Sequence, residues 1–160
     1  MEETETYISE GDRLIEQGDF DGAIAVYTKA ISGGPPDGFN YHLRGDAYRK
    51  KGDFDSAIAD YTKALSMYDD DEDRALTLIY RATAYISKSE YHNVMADANA
   101  VVKSGLMLDM AYLARGIAYV NLGPMGQGFD DWKKAADLGS KGALKKLEQY
   151  GIKYLPLKKL

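Results

Sequence analysis

The chain contains a copy of part of itself. Gly18-Asp19-Phe20-Asp21-x-Ala23-Ile24-Ala25-x-Tyr27-Thr28-Lys29-Ala30 recurs as Gly52-Asp53-Phe54-Asp55-x-Ala57-Ile58-Ala59-x-Tyr61-Thr62-Lys63-Ala64, 34 residues further on. Two weaker copies follow. Arg81-Ala82-Thr83-Ala84-Tyr85 leads into Tyr91, Val94 and Ala98, and Arg115-Gly116-Ile117-Ala118-Tyr119 leads into Gly123, Ala135 and Ala136. These are again 34 apart, with three extra residues around Asp71–Asp73 before the third copy. A fixed period of this size restricts the chain to a stack of small units, each burying its apolar face against its neighbours.

The spacing inside each copy predicts two helices that approach closely. Small residues recur on the first helix at Gly11, Gly45, Ala82 and Gly116, and on the second at Ala23, Ala57, Val94 and Gly128. Large residues stand beside them: Tyr7, Tyr41, Leu78 and Tyr112, then Leu14, Tyr48, Tyr85 and Tyr119, with Tyr27, Tyr61 and Trp132 on the second helix. Steps of four and three place the first-helix set on one face. Gly18, Gly52 and Gly123 fit the left-handed residue that closes a helix. Asp19, Asp53 and Asp55 fit the N-caps of the second helices, and Pro124 is tolerated at such a start. The expected helices are 5–17, 21–32, 38–51, 55–67, 72–88, 91–104, 108–122 and 126–138, and a last one over 140–150 covers the apolar end. The third copy departs most, with Ser89 for the turn glycine and Ala98 for the aromatic. That is either repeat drift or a local soft spot.

From about Thr4 to Ser140 these residues resemble the tetratricopeptide repeat family. The resemblance implies an all-α fold, a right-handed superhelical solenoid of antiparallel helix pairs. It implies one domain over 4–151 with repeats 4–37, 38–71, 75–108 and 109–140, a capping helix at 140–150 and a tail at 152–160. The function implied is a protein–protein interaction module, an adaptor or scaffold whose partner lies in a concave groove lined by the first helices. The groove positions fall on Glu5, Ile8, Asp12, Ile15 and Glu16, then Phe39, His42, Asp46, Arg49 and Lys50. The later units give Leu76, Ile79, Thr83, Ile86 and Ser87, then Met110, Leu113, Ile117, Val120 and Asn121. Family members that clamp chaperone C-termini use Lys, Asn and Arg at places held here by Ile8, Asp12, Leu43, Leu76 and Tyr80, so that ligand is not expected.

One face stands out without the family. Helix 108–122 is apolar almost all round, and the stack does not obviously cover Met110, Leu113, Ile117 and Val120. Leu76, Ile79 and Ile86 repeat the pattern on helix 72–88. An uncovered apolar stripe marks an interaction site, unless the capping helix or tail folds over it. The expected partner is therefore a peptide or amphipathic helix with an apolar anchor. The alternative is a homo-oligomer whose groove is filled by a tail or by another protomer.

Paired charges occupy fixed places as well. Arg44, Arg81 and Arg115 share one repeat position, while Asp60, Asp97 and Asp131 share another. The first copy departs at both, with Glu10 and Val26. A structural Arg–Asp bridge between the two helices of each unit is expected, in preference to an arginine row facing the groove. Asp69-Asp70-Asp71-Glu72-Asp73 lacks the Gly and Glu spacing of a calcium loop and suits a helix N-terminus. His42 and His92 lie in different repeats and there is no Cys, so neither metal nor cofactor is expected. No nucleophile motif, phosphate loop or carboxylate pair points to an enzyme.

A net charge of −5 gives no reason to expect nucleic acid or an anionic membrane as partner. The acidic N-terminus shows no secretory leader, and no run is long enough to span a membrane, so a cytoplasmic setting is expected. Acidic residues gather in 1–16, whereas Lys141, Lys145, Lys146, Lys153, Lys158 and Lys159 gather at the other end. The apolar, basic tail 152–160 either frays, as most termini do, or docks in a groove, its own or a neighbour's.

Overall fold

A computed structural model describes residues 2–35 and 37–157, with side chains from residue 6 onward. Lys158, Lys159 and Leu160 of the tail, and the side chains of Glu2, Glu3 and Glu5, lie outside the described residues. Among the described residues the structure is all-α, as expected. The helices are α1 (Glu2–Glu16), α2 (Phe20–Gly33), α3 (Gly38–Lys51), α4 (Phe54–Leu65), α5 (Asp71–Ser87), α6 (Tyr91–Ser104), α7 (Leu108–Leu122), α8 (Met125–Asp137) and α9 (Lys141–Gln149). The contacts gather into two compact units, Met1–Ala84 and Tyr85–Leu160.

Local chemistry sets the helix ends. Asp19 accepts from the Gly22 N–H at 2.9 Å, and Asp53 from the Ser56 N–H at 3.2 Å, so both cap second helices as expected. Asp55 lies inside the first turn of α4 and is not a cap, because Asp53 already holds that place. Asp70 accepts from the N–H groups of Glu72 and Asp73 at 2.8 and 3.1 Å, so the acidic run starts α5. Gly52 closes α3 with φ 91°, and Ser89 closes α5 by the same pair of bonds with φ 59°. A Cβ at that φ is strained, which makes Ser89 a departure the structure accommodates without relieving.

In the first unit α1 packs on α2, α2 on α3 and α3 on α4. Ala23, Tyr27 and Ala47 are buried there, with Leu14, Ile15, Ile24 and Leu43 packed around them. Close approach explains the recurring small residues. A Cβ on Gly45 would lie 2.9 Å from the Tyr61 ring, and one on Gly116 would lie 2.4 Å from Trp132. In the second unit α6 packs on α7, α7 on α8 and α8 on α9. Trp132, Ala135, Ala136, Ala143 and Leu147 form its core at the α8–α9 end.

Candidate partner-binding face

The groove positions that the family implies divide into those left open and those used for packing. On α3, Phe39 is 42% exposed. Three residues on, His42 is buried (7%), and its Nδ1 lies 2.8 Å from the Thr77 hydroxyl of α5. The His42 ring also packs against Tyr61 and Tyr80 at 5.6 and 5.2 Å between centroids. Its expected place on an open face is corrected: His42 joins α3 to α5 from inside the first unit. Burial holds its pKa below the ordinary 6.5, although Asp46 and Asp73 pull the other way.

Asp46 and Arg49 complete the α3 set. Arg49 Nε donates to Asp46 Oδ1 at 3.0 Å, a second guanidinium nitrogen contacts the same oxygen, and the guanidinium carbon sits 5.2 Å from the centre of the Tyr80 ring. Lys50 is exposed beside them, its Nζ 3.8 Å from Asp46 Oδ2. On α5, Leu76 is partly buried, Ile79 is buried, and Thr83 is exposed with its hydroxyl on the Ile79 carbonyl at 2.9 Å. Ile79 is therefore a second correction, being a core residue.

The second unit changes the expectation further. Met110 is 47% exposed, whereas Leu113, Ile117 and Val120 pack against the Trp132–Leu147 core; Ile86 is partly buried. The Trp132 indole N–H donates to the Leu113 carbonyl at 3.2 Å, and a Cβ on Gly142 would lie 3.1 Å from Leu113 Cδ2. Helices α8 and α9 thus cover most of the stripe that the sequence suggested was uncovered.

The arginines do more than bridge two helices. Arg44 makes a two-pronged contact with Asp60 at 2.7 and 2.8 Å, and its Nη1 reaches the Thr28 hydroxyl of α2 at 3.1 Å. Arg115 likewise holds Asp131 at 2.6 and 3.0 Å, and reaches Asn99 of α6 at 3.0 Å. Arg81 donates to Thr62 of α4 at 2.9 Å, while Asp97 is buried. Each of these arginines therefore reaches back to the second helix of the repeat before it. Sequence reasoning passed over Thr28, Thr62 and Asn99, although their shared repeat position was the signal.

Of the tail, residues 152–157 are described, and they lie against α8 and the second unit's core. Asp137 accepts from the Tyr154 hydroxyl at 2.9 Å and from the Leu157 N–H at 2.9 Å, while Ile152 and Tyr154 pack on the second unit's core. Leu155 and Leu157 remain exposed there, beside a hollow of ≈ 620 Å³ lined by Leu144, Ile152 and Tyr154 among others. Among the described residues, no group of three or more His, Asp and Glu could hold a metal ion. No helix among them is long and apolar enough to cross a membrane.

The repeat geometry agrees with the comparisons to known proteins. The tetratricopeptide-repeat family pattern matches residues 8–72 and 42–91, together more than half of the chain. The chain belongs to the tetratricopeptide repeat family, whose members are protein-interaction modules. Solved structures of the same fold include residues 41 to the end of MamA from Desulfovibrio magneticus RS-1, 19% identical. That match covers 87% of this chain and 77% of MamA, with a TM-score of 0.77. The TPR2B domain of yeast Sti1, solved as a complex with pHsp70, is 25% identical over 75% of this chain and 98% of its own, with a TM-score of 0.67. The first TPR domain of human RPAP3 is also 25% identical, over 74% and 92%, with a TM-score of 0.65. No curated protein matches the sequence.

Proposed function

We propose that this chain is an adaptor that takes a peptide or amphipathic helix of another protein on the first-helix faces of its repeats, through an apolar anchor. One observation carries the proposal. Phe39 and Met110 hold the same place in their respective repeats, and both are large apolar side chains left open. An exposed apolar side chain that recurs at one repeat position has no part in the stack and is suited to a partner. The complex of the Sti1 domain with pHsp70 supports a peptide as the ligand. Since Ile8, Asp12, Leu43, Leu76 and Tyr80 hold the clamp places, a chaperone-tail carboxylate is not the ligand we assign.

The test compares partner recovery by the native chain, by Phe39→Glu, by Met110→Glu and by Met125→Glu. Met125 is equally exposed but lies at the start of a second helix, so its variant is the control. Loss with the first two and retention with the control is the expected result. Retention with all three would contradict the proposal. A second reading, self-association, draws on exposed Leu155 and Leu157. Sedimentation that depends on concentration, and that Leu155→Ser abolishes, would favour it.

A further inference from the structure

The turn and second helix of the first two repeats are nearly the same sequence, and both repeats carry the same Asp and Tyr on facing helices, so the two pairs can be compared. In the first, the Tyr27 hydroxyl donates to Asp12 Oδ1 at 2.9 Å. Tyr61 and Asp46 occupy the same places in the second repeat. There, however, the Tyr61 hydroxyl is fully buried and has no hydrogen-bond partner. Asp46 is close enough to act on it electrostatically, but its Oδ1 is held by Arg49. The guanidinium also lies near the Tyr61 oxygen, yet it is only a donor and cannot accept the hydroxyl proton. Among the residues that differ between the two first helices, the one that holds the aspartate is Arg49, where the first repeat has Ile15.

We infer that Arg49 receives an acidic side chain of the bound peptide, and that Asp46, released by the exchange, turns to accept from Tyr61. This rests on the binding face proposed above and adds the chemistry of its second contact. Arg49 and Lys50 give that end of α3 two cations against the one carboxylate of Asp46. The Arg49 side chain is 23% exposed, so it is accessible to a ligand. A carboxylate suits a guanidinium already stacked on Tyr80, because it can take two parallel N–H bonds. The exchange also satisfies a buried hydroxyl, which the protein alone leaves without an acceptor. An internal acidic side chain is the source, because no cation stands at the family's places for a terminal carboxylate.

Spacing narrows the ligand. Phe39 and Arg49 are separated along α3 by about 15 Å at the helical rise per residue. An extended peptide covers that in roughly four to five residues. The ligand therefore has an apolar residue and an Asp or Glu four or five positions apart.

Two measurements test this. In the absence of ligand, Tyr61→Phe should leave the native melting temperature unchanged or raise it. Placed on Arg49→Ile, where Asp46 is free to accept from Tyr61, the same change should lower it by about 2–4 °C. Equal effects in the two backgrounds would overturn the exchange.

With ligand, the probes are acetyl-Leu-Ala-Ala-Ala-Glu-amide and its Gln counterpart, titrated by NMR. The Glu peptide should bind the native chain about tenfold more tightly, from one charge-assisted contact. Arg49→Ile should abolish that preference, and Tyr61→Phe should reduce it although Tyr61 cannot touch the peptide. If both peptides bind equally and Phe39→Glu abolishes both, this inference fails while the binding face stands. If neither binds even at millimolar concentration, the face itself fails, and the inference with it.

Discussion

His42 shows how a single residue can mislead sequence reasoning. It sits at a groove position, but Thr77 and the Tyr61 and Tyr80 rings enclose it, with Asp46, Asp73 and Arg49 acting on it electrostatically. Its pKa is held below 6.5, chiefly by burial. Just below that pH the unfolded chain holds a proton that the folded chain does not, so stability rises with pH there and is fully present above it. His42→Gln should flatten that slope in a urea titration series; an unchanged slope would assign the titration elsewhere. Nothing in the sequence signals this pocket, because its walls come from α4 and α5 and no short-range pattern brings them together. The Arg–Asp pairs were legible for the opposite reason. An Arg and an Asp that appear or disappear together across repeats point to a contact between them, as Arg44–Asp60 and Arg115–Asp131 show. Asp131 is nearly inaccessible, so Asp131→Ala leaves Arg115 without its carboxylate and should cost about 3 kcal/mol of unfolding free energy. A loss below a few tenths would reduce the contact to an ordinary surface pair.

At the scale of the element, helix ends were legible because their chemistry is local. Glycine at a left-handed closing residue and aspartate at a cap act within three or four residues. Ser89 is the test of that statement. It holds φ 59° in a turn where the equivalent Gly52 holds φ 91°. Ser89→Gly should therefore raise stability by about 0.5–1 kcal/mol, seen as a higher denaturant midpoint at unchanged slope. A lower midpoint would mean that the serine side chain contributes more than its backbone strain removes. The coverage of α7 was not legible at this scale. Leu113, Ile117 and Val120 share a helical face with Met110, and periodicity alone treats the four alike. What separates them is the placement of α8 and α9, which partly cover the first three beside Trp132 and Leu147 and leave Met110 open.

For the whole molecule, the 34-residue period specified the architecture, since a stacked unit leaves few other solutions. The same period also underlies the proposed binding face. Subtracting the residues that build the stack leaves Phe39 and Met110 at one shared position, with Arg49 and Lys50 further along α3. A ligand's identity does not follow from fold. The proposed binding face gives that ligand a chemistry, apolar at one point and acidic at another. The measurement that tests this most directly is amide hydrogen exchange on the chain alone and with a bound partner. New protection should appear on the first helices α3, α5 and α7, while α2, α4, α6 and α8 keep their free-state rates. Protection centred on the second helices, or on residues 150–157, would contradict the account.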